Sequence, residues 1–300
     1  MNVLVMGASG FVGSALLPAL VDAGHDVRAL VRDASRFEPP DGVTIVEGDL
    51  LQPASLDGVF DGIEVAYYLV HSLRTGPDFA ARDRRTARTV ATRAADAGVE
   101  RVIYLGGLGE VGADLSEHLA SRREVESILA TGQYALTVLR AAIIIGAGSA
   151  SFTVIRDLAG RLPVMITPRW VRTECQPIAI DDVVTYLIEL LRHPETAGQT
   201  YEIGGPDIVT YEQLIRMMAR HLGRRLVIIP VPVLTVGLSV YWIDLVTRVP
   251  KSIAHPLVHG LQNPVVVTDH RIREIIPIEL TPLDEAIEAA LERPTDSRNS

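Results

Sequence analysis

The residues best suited to chemistry come early: Gly7-Ala8-Ser9-Gly10-Phe11-Val12-Gly13, set between an apolar run at 3–6 and a helix-patterned stretch at 11–23. Glycine at the first, fourth and seventh positions of a strand–turn–helix has a specific use. Gly7 permits the tight turn, Gly10 lets the backbone approach a pyrophosphate, and Gly13 allows the helix to pack closely on the strand. Phosphate oxygens would then meet the free N–H groups and positive dipole end of the helix, with Ser9, Phe11 and Val12 completing the turn. About twenty residues further on, where the pattern places the ribose contact, the chain reads Val31-Arg32-Asp33, followed by Arg36. A guanidinium here pairs bidentately with a 2′-phosphate, whereas an acid grips a free ribose hydroxyl. Arg32 and Arg36 favour NADP(H); Asp33, one residue away, keeps NAD(H) as the alternative. Asp49 and Leu50 either flank the adenine or form an ordinary strand-end turn. His71 lies at the carboxyl end of a strand, where it would meet the ribose or nicotinamide, or serve as a hydrogen-bonded structural histidine.

These positions need a scaffold, and the chain spells one out. Apolar strand runs at 3–6, 27–31, 43–47, 65–70, 102–105 and 135–139 are interleaved with helical patterns at 11–23, 79–97 and 115–130, with Gly24, Gly98 and Gly132 as stops. That alternation predicts an α/β fold: a doubly wound parallel sheet of the Rossmann kind, covered on both faces. After residue 145 the rhythm changes. A loop at 146–149, a helix at 152–162, an irregular stretch at 163–176, a helix at 182–191 and a strand at 201–203 are expected. Helices at 211–222, 233–249 and 283–291 build a smaller lobe. The division is a dinucleotide-binding domain over 1–205, with 145–176 contributing to the pocket rim, a substrate or lid lobe over 206–292, and a tail over 293–300. No internal repeat is present.

Composition narrows the class. Of 300 residues, 48% are hydrophobic, ample for a core, and the net charge of −9 argues against a general nucleic-acid binder. The single cysteine, Cys175, cannot form an internal disulfide, and the chain opens directly into a strand without a leader pattern, so a cytoplasmic location is expected. Lys251 is the sole lysine. Residues 226–243 carry no charge, but Pro230 and Pro232 hold the first part extended, and Asp244 and Arg248 cut the rest short. A surface-lying or substrate-covering helix is expected there rather than a membrane span.

The chain resembles the atypical extended short-chain dehydrogenases, in the NmrA-like branch that includes the peripheral NAD(P)H-binding subunit of respiratory complex I. The resemblance covers nearly the whole chain. It rests on the glycine motif, Tyr67-Tyr68-Leu69-Val70-His71-Ser72, Leu139-Arg140-Ala141, Gly146-Ala147-Gly148-Ser149, Pro168-Arg169-Trp170-Val171-Arg172, Pro177-Ile178-Ala179-Ile180-Asp181-Asp182-Val183 and Ile203-Gly204-Gly205-Pro206. It implies that the C-terminal lobe covers the nicotinamide end and shapes a substrate pocket. The broad dehydrogenase family uses a serine after the fifth strand and a Tyr-x-x-x-Lys pair on the next helix, in which the lysine lowers the tyrosine pKa. This chain departs from that plan: Gly106-Gly107 replaces the serine, no tyrosine is followed by lysine four residues on, and the matching helix carries His118 and Arg122. These two share a helix face at i and i+4. Either His118 serves as acid–base while Arg122 polarises the substrate or holds a ribose, or the triad is lost and both are surface residues. Arginine does not donate the proton, because its pKa lies above about 12.

The expected function is therefore NADP-dependent reduction of an apolar carbonyl or enone-type small molecule. The alternative is a non-catalytic NADPH-binding redox sensor or respiratory-complex accessory protein, with peripheral membrane contact; sugar-nucleotide epimerisation is disfavoured by the missing tyrosine base. Other groups read more simply. Arg140 opens a loop near the rim or forms a structural ion pair, Arg169 and Arg172 flank Trp170 as an anion contact or lobe anchor, and Asp181 caps the following helix. His255 and His259 have helical metal-ligand spacing but lack a third ligand.

Overall fold

The computed structural model describes residues 1–71, 78–109, 117–167, 169–230 and 263–293. The first part alternates as β1 (Asn2–Met6), α1 (Phe11–Asp22), β2 (Asp26–Val31), β3 (Val43–Glu47), β4 (Val65–Tyr68), α2 (Phe79–Asp96), β5 (Arg101–Gly107), α3 (Glu117–Leu129) and β6 (Ala135–Ala141). Then follow β7 (Ile144–Ile145), α4 (Ala150–Arg161), β8 (Val164–Thr167), β9 (Glu174–Cys175), β10 (Ile178–Ala179), α5 (Ile180–Arg192) and β11 (Thr200–Ile203). The last described elements are β12 (Val209–Thr210), α6 (Tyr211–His221), β13 (Val227–Pro230), α7 (Arg271–Ile275) and α8 (Leu283–Glu292).

Seven strands form one sheet in the order β3-β2-β1-β4-β5-β6-β11, and every pairing is parallel. The expected doubly wound fold is present. Chain direction across the sheet reverses between β1 and β4, which opens a crevice at their carboxyl ends. Alternation along the strands feeds two cores. Val3, Val5, Tyr67, Ile103 and Leu139 pack with α1 and α5, while Leu4, Met6, Tyr68, Tyr104 and Val138 pack with α2 and α3. A third core joins α4, α6 and α8 to Leu108, Ala142 and Ile145 near the sheet's carboxyl edge. Each large aliphatic side chain buried in this way contributes about 1.5–3 kcal/mol.

Several local expectations need correction. The 163–176 stretch is not irregular throughout: β8 pairs in parallel with β13, a short 3₁₀ turn spans Arg169–Arg172, and β9 pairs antiparallel with β12. These pairs of four residues or fewer are too short to show a periodicity. Ala179, not Asp181, occupies the cap position of α5, and Asp181 sits in the first turn, where its charge complements the dipole. Arg293, assigned to the tail, donates to both carboxylate oxygens of Asp181 at 3.1 and 2.8 Å. The helix expected at 233–249, and His255 and His259, lie outside the described residues.

At the amino end of β5, Arg101 is buried with no ion pair to a carboxylate among the described residues. Its guanidinium donates to Thr137 Oγ1 at 2.9 Å, the Leu190 carbonyl at 2.6 Å and Thr196 Oγ1 at 2.7 Å, tying β5, β6 and the end of α5 together. Replacing it with methionine fills the volume but strands the Leu190 carbonyl. Arg101→Met should lower the unfolding free energy by about 2–4 kcal/mol, read from urea melts.

Candidate functional site

The glycine turn sits at the mouth of the crevice. Gly7 follows β1 directly with φ of +85°, and a Cβ there would lie 2.8 Å from the Leu69 carbonyl oxygen at the end of β4. A Cβ on Gly13 would overlap the Gly7 carbonyl oxygen, so only glycine lets α1 begin this close to the turn. At Gly10 a Cβ would approach the Gly7 oxygen at 3.1 Å and no other described heavy atom within 4 Å. The α1 amino end has neither a side-chain cap nor an acidic residue in its first turn. Its first N–H groups are thus available to an anion. Ser9 and Gly10 are exposed, Phe11 and Val12 half-buried. A pyrophosphate fits this cradle.

Beyond β2, Asp33 turns back on its own chain. Its Oδ1 accepts from the Ser35 backbone N–H at 3.0 Å and from Ser35 Oγ at 2.6 Å, capping a 3₁₀ turn at Ala34–Arg36. Arg32 and Arg36 stand exposed beside it, their side chains with no hydrogen bond or ion pair to a described residue. Asp49 forms the strand-end turn: Oδ1 accepts from the Leu51 N–H at 2.9 Å, and its own N–H donates to Ser55 Oγ at 2.8 Å. Leu50 is buried beneath it.

On the far side of the crevice, past β4, lies a polar cluster. His71 Nδ1 is 3.8 Å from Asp83 Oδ2 on α2. Burial, then the nearby Arg122 guanidinium, push the imidazole down to about 4, against the pull of Asp83. Arg122 lies over the Tyr104 ring at 5.8 Å and reaches the Val70 carbonyl and Tyr104 hydroxyl at 3.5 Å, while its Nε is buried without a hydrogen-bond partner among the described residues. Tyr104 returns a bond from its hydroxyl to the Arg122 carbonyl at 3.2 Å. Burial pushes the Tyr104 and Tyr68 phenols up, so both stay protonated at neutral pH.

The structure therefore brings His71 and Arg122 together at the carboxyl edge. His118 lies one turn before Arg122 on α3, and its side chain is outside the described atoms, as are those of Arg169 and Trp170. Gly106 and Gly107 end β5, at the place where the broader dehydrogenases carry their serine. Arg140 belongs to β6 rather than a loop and makes a two-pronged ion pair with Glu126, at 2.6 and 3.2 Å. Asp83 escaped the sequence reading, although it falls on the buried stripe of α2 with Phe79, Thr86, Ala87, Val90 and Ala94. A lone charge on such a stripe is a detectable signal. Among the described residues, no group of three or more metal-ligating side chains converges, and no helix is long and apolar enough to cross a membrane.

Strand, glycine turn and uncapped helix at a sheet switch point define a dinucleotide-binding protein of the Rossmann type. The profile of the NmrA-like family matches residues 1–262, and the chain belongs to that family of NAD(P)-binding, oxidoreductase-type proteins. Two relatives are 30% identical. One is the (4-alkanoyl-5-oxo-2,5-dihydrofuran-3-yl)methyl phosphate reductase of Streptomyces griseus, matched over 75% of each chain. The other is the ceramide reductase of Caulobacter vibrioides, matched over 78% of this chain and 76% of the relative. In fold, the chain is similar to Citrobacter triphenylmethane reductase complexed with NADP(H), with a TM-score of 0.75 and 19% identity over 97% of this chain and all (100%) of that one.

The state of His71 gives a pH prediction. An unfolded histidine takes its proton near pH 6.5, whereas folded His71 resists until about 4. Between these values the unfolded chain binds more protons, so stability falls as pH drops through the window. His71→Gln removes this share of the loss; urea midpoints at pH 7 and pH 5 should lie closer together in the variant than in the wild type.

Proposed function

We propose that the chain binds NADP(H) in preference to NAD(H) and uses it to reduce an apolar carbonyl or enone-type small molecule. The observation carrying the reading is the anion cradle at α1, together with the division of charge beyond β2. Asp33 is engaged by Ser35, which leaves Arg32 and Arg36 for a 2′-phosphate. Gly7, Ser9, Gly10, Phe11, Val12 and Gly13 would hold the pyrophosphate, Asp49 and Leu50 would border the adenine, and His71 would meet the nicotinamide-side ribose. The dinucleotide supplies a hydride when bound. His118 is assigned the proton transfer and Arg122 the charge on the reacting oxygen. The reductase names of the two relatives support this class of reaction.

Residues 1–205 form the dinucleotide-binding domain in this reading and 206–292 the substrate lobe, in a cytoplasmic protein. One feature favours a second reading, a cofactor-bound sensor or respiratory accessory protein that touches a membrane surface: β5 ends in two glycines where the broader dehydrogenases place a serine. Binding of NADPH without its consumption across carbonyls, quinones and enones would select it.

Titration of NADPH and NADH by nicotinamide fluorescence tests the cofactor. Arg32→Ala should weaken NADPH by about tenfold or more while leaving NADH nearly unchanged; a wild type that binds neither nucleotide overturns the proposal. Turnover tests the catalytic assignment: His118→Ala should lose about 10²-fold or more in kcat with NADPH affinity intact. A normal rate in that variant removes His118 from the mechanism.

A further inference from the structure

A carboxylate on the buried stripe of a helix needs a reason, since moving a charge out of water is expensive. Arg82, Arg85 and Arg88 of α2 are exposed, whereas Asp83 is 2% exposed and faces the sheet. Its surroundings hold it in one place. Ser121 Oγ on α3 donates to Oδ2 at 3.3 Å, Thr86 Oγ1 donates to the Asp83 carbonyl at 3.0 Å, and Thr86 is in turn paired with the Tyr68 hydroxyl at 2.8 Å. The Oδ2 that Ser121 holds is the atom 3.8 Å from His71 Nδ1.

We propose that Asp83 is a positioning residue: from α2 its carboxylate takes the Nδ1–H of His71 and leaves Nε2 as an acceptor for a ligand hydroxyl. The inference rests on the cofactor reading above, in which that hydroxyl belongs to the nicotinamide-side ribose. The chemistry follows from donor counting. An ionised carboxylate accepts only, so it pairs with Nδ1 when that nitrogen carries the proton. A neutral imidazole has one N–H, which leaves Nε2 with a lone pair. Among the described residues, Arg122 is the other charge that acts on the ring, and it opposes protonation; the Tyr68 and Tyr104 hydroxyls nearby are held by Thr86 and by the Arg122 carbonyl. At 3.8 Å the pair is longer than a hydrogen bond, and it has to shorten when the ligand binds, as such contacts commonly do.

The test uses the full-length protein labelled with nitrogen-15, with the His71 ring signals assigned through their loss in His71→Gln. The wild type should show the Nδ1–H tautomer at pH 7, with and without NADPH. Asp83→Asn keeps the shape but adds a donor; it should move His71 toward the Nε2–H tautomer and weaken NADPH binding about tenfold. An Nε2–H tautomer in the wild type overturns the proposal without any variant, and so does an Asp83→Asn protein with unchanged tautomer and unchanged affinity. If the wild type binds no dinucleotide the cofactor reading falls, while the tautomer still decides what Asp83 does to His71.

Discussion

The carboxyl edge of this protein is built on one close approach: the backbone of the glycine turn after β1 against the Leu69 carbonyl after β4. These strands are neighbours whose chains then diverge to opposite sides of the sheet. Because Gly7 has no Cβ to hold them apart, the gap between them is only as wide as backbone atoms require. Gly13 does the same between the first turn of α1 and the turn itself. The helix amino end is thereby brought over the switch point rather than beside it, and its dipole and unpaired N–H groups face the crevice.

Much of this was legible because it follows from period and punctuation. Near-continuous apolar strands, amphipathic helices and glycine stops located the main elements to within a few residues, and the spacing of Gly7, Gly10 and Gly13 located the turn. What escaped depended on contacts distant in sequence. The pairing of β8 with β13 joins segments about sixty residues apart, and neither is long enough to alternate visibly. For Arg140 a structural ion pair is one of two readings, but its partner, Glu126, lies on another element and cannot be named from the sequence. Order alone puts Arg32 ahead of Asp33 but leaves both in play; in the structure Asp33 accepts from Ser35 two residues away, whereas the Arg32 side chain finds no acceptor among the described residues.

The two sides of the crevice differ in their electrostatics. At α1 the polar groups are backbone amides with no side-chain competitor. At β4 and β5 they are side chains brought together by α2 and α3, with two phenols, a guanidinium, a carboxylate and an imidazole in a largely desolvated space, and only some of them are hydrogen-bonded to one another. Such a network is rigid when its members are paired and costly when one is removed. It also explains why the imidazole stays neutral: the medium that strengthens its contacts penalises its charge.

The Phe11 ring, at the start of α1, lies against the loop between β7 and α4, where a Cβ on Gly146 would come within 2.8 Å of the ring and one on Gly148 within 3.6 Å. The loop leads into α4, a wall of the third core. The glycine turn and the distal lobe are thus keyed together by one aromatic ring and two glycines. A lobe exchanged between related scaffolds, by recombination or by design, would have to bring that glycine pair with it or meet a first helix lacking the phenyl ring, and sequence similarity within the lobe alone would not reveal the mismatch.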